Sequence, residues 1–123
     1  MKRVKLPDMT VVELVQRFAD IALEQDRAEL AEEREQYAPL FRLMEAVEEE
    51  LKQREGDQRR ALLSLYTHPN VQVRLKAAES TLAIARSAAE QALREIRNSK
   101  SYPQAGEAGM TLFNLQEGVF KPK

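Results

Sequence analysis

The chain has 123 residues, enough for one domain with a buried core, and its 43% hydrophobic and 32% charged residues are the balance of a soluble globular protein. Cysteine is absent, which excludes disulfides, thiolate nucleophiles and cysteine metal sites, and no apolar run approaches the roughly 18 residues of a membrane span. The net charge of −1 conceals an asymmetry: residues 24–57 hold 12 acidic and 5 basic groups, whereas residues 58–100 hold 8 basic and 3 acidic ones, a polarity that bears on partner steering rather than on fold.

The opening residues, Met1 to Pro7, are basic but lack the apolar stretch of a signal peptide, so a cytoplasmic location is the expectation. Thr10 and Glu13 have the spacing of a capping box and stand directly before an apolar series. Val11, Leu14, Val15, Phe18, Ile21 and Ala22 trace one face, which predicts a first helix from Thr10 or Val11 to about Leu30. Residues 31–36 carry no apolar stripe and are expected to hold the turn. Pro39 is expected to open the second helix, because proline is tolerated in a first turn and costly inside. Tyr37, Leu40, Phe41, Met44, Val47 and Leu51 then recur at helical spacing, opposite Glu45, Glu48, Glu49, Lys52 and Glu55. Gly56 is placed to end this helix and Asp57 to cap a third over about Gln58 to Tyr66.

Thr67-His68-Pro69-Asn70 is a break, with Asn70 as a good N-cap. The fourth helix is expected over Val71 to Ala85, with Val71, Leu75, Ala78 and Leu82 inward. A fifth opens near Ser87, with Ala88, Ala92, Leu93 and Ile96 as its apolar positions. After a loop over residues 98–101, Pro103 falls in the first turn of a sixth helix that ends near Leu115. Gly106 and Gly109 weaken that helix, and their spacing predicts a close approach of a neighbouring helix. The tail from Glu117 to Lys123 reads as extended, with Phe120 expected to fold back over the last helix. No strand pattern stands out, and the expected class is all-α.

Residues 61–84 and 92–115 repeat one apolar pattern at an offset of 31: Leu62 falls on Leu93, Leu65 on Ile96, Ala77 on Ala108 and Leu82 on Phe113. Such a period is the mark of stacked helical repeats, which present extended binding surfaces. The stretch Ala61-Leu62-Leu63-Ser64-Leu65-Tyr66-Thr67-His68-Pro69-Asn70-Val71-Gln72-Val73-Arg74-Leu75-Lys76-Ala77-Ala78 resembles a HEAT-type repeat, in which a leucine-rich helix, a His-Pro-Asn turn and a Val-Arg helix with two alanines follow one another. Through Leu40-Phe41-Arg42-Leu43-Met44, His68-Pro69-Asn70, Pro103-Gln104-Ala105-Gly106 and Gly118-Val119-Phe120-Lys121-Pro122, the whole chain resembles a small family of bacterial domains of unknown function with an armadillo/HEAT-like fold. The resemblance implies a short α-solenoid of about six helices and brings no activity with it. A single domain is expected, with an N-terminal tail over 1–9, a helical hairpin over 10–56, two HEAT-like helix pairs over 57–116 and a C-terminal tail over 117–123. Arg74 aligns with Ala105, so the second copy lacks the Val-Arg element.

No catalytic constellation emerges. His68 is the sole histidine and reads as a shaper of its turn, since a metal would need further ligands at suitable spacing. The serines lack an activating partner, Glu48-Glu49-Glu50 reads as a solvated face, and Gly106-x-x-Gly109 lacks the lysine and strand of a phosphate loop. No cofactor or metal is expected. The basic block 58–100 lacks interleaved aromatics, which argues against nucleic acid, and the polar faces are not those of a membrane-surface helix. The expected partner-binding surface is the exposed face of the repeat helices: Gln72, Lys76 and Glu79 with Arg74 at the flank, and Gln104, Glu107 and Met110 with Tyr102 before them. A non-enzymatic module that binds a protein or peptide is therefore the expected function. Nucleic-acid binding and an inhibitor or immunity role against a toxin are the alternatives, and homodimerisation through the exposed repeat ends is a further expectation.

Overall fold

The computed structural model describes residues 4–123, which form two compact helical units, one ending at Ala61 and the other starting at Leu62. Five α-helices and two 3-10 segments account for the regular structure, and there is no strand among the described residues. No helix among them is long and apolar enough to cross a membrane.

The first unit is a hairpin of α1 (Val11–Leu30) and α2 (Arg34–Gln53), preceded by a 3-10 turn over Leu6–Asp8. Helix α1 starts where the capping box requires. The Thr10 hydroxyl oxygen accepts the Glu13 amide at 3.1 Å, and the Glu13 carboxylate accepts the Thr10 amide at 2.8 Å. Leu14, Phe18, Ile21 and Ala22 are buried, as are Met44, Val47 and Leu51 on α2. Helix α2 begins five residues before Pro39, against expectation. The turn is tighter than its composition suggests: Glu32 takes a left-handed conformation (φ 56°) and the Glu33 amide closes back on the Ala28 carbonyl at 2.9 Å. Pro39 then lies in the second helical turn, where the amide it lacks would have reached back four residues. At the far end, Arg54 joins the Glu50 carboxylate at 2.9 Å and donates to the Leu6 carbonyl at 3.0 Å, which pins the 3-10 turn against the hairpin.

The expected third helix is a 3-10 segment over Gln58–Thr67 rather than an α-helix. Asp57 does cap it: its carboxylate accepts the Arg59 amide at 3.3 Å and pairs with the Arg59 guanidinium. The second unit is built on α3 (Val71–Ser80), α4 (Arg86–Ser99) and α5 (Gln104–Gln116). Asn70 caps α3 by accepting the amides of Gln72 and Val73 at 2.8 and 3.1 Å, and His68 Nδ1 accepts the Asn70 amide at 3.0 Å. Helix α3 stops at Ser80 instead of Ala85. The Thr81 hydroxyl donates to the Ala77 carbonyl at 2.8 Å, and the amides of Ile84 and Ala85 turn back onto the Thr81 carbonyl. Leu75, Ala78, Leu82, Ala89, Leu93, Ile96, Ala108 and Leu115 form this unit's core. Leu62 and Leu93, equivalent across the 31-residue offset, are both fully buried. Beyond α5, Gly118 adopts φ 74° and the amides of Val119 and Phe120 both donate to the Asn114 carbonyl, so the tail begins by folding back.

Candidate functional site

Helix α3 contacts both α4 and α5, and this explains where the expected binding residues go. Gln104 donates to Gln72 at 3.0 Å, Lys76 to Glu107 at 2.8 Å and to Glu79 at 3.4 Å, and Thr111 to Glu79 at 2.9 Å. The three rungs join residues 31 or 32 apart. The offset of 31 thus reappears, to within one residue, as the spacing of the polar contacts between α3 and α5. Gln72, Lys76 and Gln104 are buried. The expectation that these three lie on an exposed face is corrected: with neighbours on two sides, α3 has seven of its ten residues buried, and the polar side chains pair across the seam instead of facing water.

The seam separates two carboxyls. Burial pushes Glu79 up to about 8, with the Lys76 ammonium opposing that rise and Glu107 reinforcing it. Burial also acts to raise Glu107, but Lys76 and the hydrogen bond with Glu79 outweigh it and hold its carboxyl below the ordinary value. At neutral pH Glu79 therefore keeps its proton while Glu107 faces Lys76 as a carboxylate. Split carboxyls beside a lysine can serve acid–base chemistry. Here the groups are engaged with one another and with Thr111, so the cluster acts as a clamp between α3 and α5. No group of three residues that could hold a metal occurs among the described residues.

Arg74 points elsewhere. Its guanidinium donates to the carbonyls of His68 and Pro69 at 2.7 and 3.0 Å, as its place after the turn suggests, and it borders a cavity of about 150 Å³ with Tyr66, Glu95 and Ser99. Tyr102 and Met110 are the expected residues that face solvent fully, at 70% and 60% exposure, and Phe113, which sequence reasoning placed in the repeat pattern only, joins them at 58%. Tyr102 precedes α5 through a cis peptide bond to Pro103, and its ring stands beside Gly106, 3.7 Å from where a side chain would begin. Gly106, Met110 and Phe113 lie at i, i+4 and i+7, so with Tyr102 they form one apolar stripe along the outer face of α5. The signal that could have found Phe113 is this spacing, taken from Gly106 onward rather than from the repeat.

The two glycines of α5 divide. Gly109 faces α4, where the Arg97 side chain lies 3.6 Å from its missing Cβ, and Gly106 opens on the solvent stripe. Close approach of a neighbouring helix holds for Gly109 alone. In the first unit, a cleft of about 400 Å³ is lined by Leu6, Pro7, Met9, Leu43 and Val47, with Arg17 and Glu50 among its polar residues.

A family model described as a domain of unknown function (DUF2019) matches residues 12–116. The crystal structure of the protein RPA1889 from Rhodopseudomonas palustris CGA009 is similar throughout, with a TM-score of 0.94 and 49% sequence identity over 98% of this chain and 100% of that one. No curated protein matches.

Proposed function

We propose that this chain, which belongs to the DUF2019 family, is a non-enzymatic interaction module that docks a protein through the outer face of α5. The observation that carries the reading is the group of Met110 and Phe113 on the outer face of α5 and Tyr102, whose ring stands beside Gly106 of that helix, three large side chains that remain more than half exposed. Contiguous apolar surface of this kind costs solvation unless something covers it, and aromatic and methionine side chains are those enriched in the centres of protein interfaces. The polar residues that could have done chemistry are instead committed to holding α3 and α5 together. That commitment supports a scaffold for a surface over a reaction centre.

A photo-crosslinking residue placed at Met110, in cells of the producing organism, tests this. A discrete adduct at position 110, absent when the same residue is placed at the exposed Glu49 of α2, is the expected result. No adduct at 110, or equal adducts at both positions, would refute the reading.

A further inference from the structure

We infer that the cleft of the first unit binds a medium-chain aliphatic carboxylate, its chain along α2 and its head at Lys5 and Arg17. The cleft, of about 400 Å³, is built from the N-terminal turn, α1 and α2 alone, so its ligand is independent of what covers α5. Its size falls among those of small-molecule sites. Helix α2 carries more apolar surface than a hairpin needs, since one stripe suffices for one neighbour. Leu43, Ala46, Val47 and Glu50, at i, i+3, i+4 and i+7, line the cleft, and Leu43 is left 45% exposed. Those seven residues rise about 10 Å, the reach of an extended chain of roughly eight carbons. Leu6 and Met9 add apolar lining from the turn, and Arg54 fixes that turn by donating to the Leu6 carbonyl at 3.0 Å. The cleft is therefore formed before a ligand arrives.

The charged residues of the lining are unequal. Glu50 is buried and accepts Arg54 at 2.9 Å and Gln53 at 3.0 Å, so its charge is answered within the fold. Lys5 and Arg17 are exposed, and neither is in an ion pair among the described residues. The acids nearest Arg17 along α1 are engaged, Glu13 with the Thr10 amide and Asp20 with Gln16. Asp8, Glu45, Glu48 and Glu49 do not line the cleft. An apolar floor with two unanswered cations matches an apolar chain that ends in one negative charge. A guanidinium presents donors in the planar fork that a carboxylate accepts. A cationic amphiphile would meet like charge there, and a neutral one would leave both cations unpaired.

Octanoate, added below its micelle-forming concentration to the full chain with carbon-13 methionine methyl groups, tests the inference. Met9 lines the cleft, while Met44 and Met110 do not. The Met9 signal is expected to shift and saturate while those of Met44 and Met110 stay fixed. Octanol, with the same chain and no charge, is expected to bind about fivefold more weakly, as are the Lys5→Gln and Arg17→Gln variants toward octanoate. Ala46→Phe, which fills the cleft, is expected to abolish the shift, with circular dichroism confirming that each variant is folded. A Met9 signal that does not saturate with octanoate, or a Met110 shift that accompanies it, would overturn the inference. So would octanol binding as tightly as octanoate, an affinity unchanged in both charge variants, or a shift that survives Ala46→Phe.

Discussion

Lys76 illustrates how one residue acquires its role from its neighbours. On a helix drawn alone it lies opposite the leucine stripe, yet in the fold its ammonium is buried between Glu79 and Glu107. The cost of burying that charge is offset by the Glu107 carboxylate at 2.8 Å, and Glu79 escapes the cost by retaining its proton. This arrangement has a pH signature. The folded-state value of Glu79, about 8, lies above its ordinary value of 4.5, so its contribution to stability is complete below 4.5 and is lost as pH rises through 8. Glu107 acts in the opposite sense and in acid. Its contribution is present above 4.5 and is lost as pH falls through its lowered value. Urea denaturation of the wild type is expected to show stability falling between pH 5 and pH 9, by on the order of a few kcal/mol. In Glu79→Gln, which keeps the shape and the contact with Thr111 but cannot ionise, that decline should be largely gone. A variant whose alkaline decline matches the wild type would show that the titration of Glu79 does not cause it.

At the scale of elements, the Lys76–Glu107 rung is an ion pair that ties α3 to α5. Replacing Lys76 or Glu107 by alanine singly strips one charge of its partner, and a double-mutant cycle isolates their coupling. With Lys76 buried and Glu107 partly exposed, a coupling of about 1 kcal/mol is expected by thermal or urea denaturation, and a value near zero would remove the rung from the account. Much of this level was legible in advance. The start of α1 follows from Thr10 and Glu13, the start of α3 from Asn70, and the turn around His68 from the imidazole that accepts the Asn70 amide, because each rests on a local hydrogen bond that the residue type supplies. Three boundaries were not legible. Pro39 marks no helix start because the Glu32 turn closes earlier, and α3 ends at Ser80 because the Thr81 hydroxyl competes for carbonyls inside the helix. The leucine-rich segment before His68 winds as a 3-10 helix, although its composition favours α. The exposure of the polar face of α3 was misjudged for a different reason. A single apolar stripe assumes one buried side, and α3 is enclosed on two, so its polar face became a seam while the solvent stripe moved to α5.

For the whole molecule, the proposed role rests on what α5 turns outward rather than on the polar residues of α3. Each polar residue singled out on α3 is engaged: Arg74 holds the His68 turn, while Gln72, Lys76 and Glu79 hold α5. What α5 offers outward, beyond this internal scaffold, is Tyr102, Gly106, Met110 and Phe113. The chain's four methionines make that face observable. With the methionine methyl groups labelled with carbon-13, spectra recorded as lysate of the producing organism is added report on Met110 directly, with the buried Met44 as an internal reference. The Met110 signal is expected to shift or broaden as lysate is added while that of Met44 stays fixed. A Met110 signal unchanged at every amount of lysate, with no crosslinked partner at that position, would contradict the docking face.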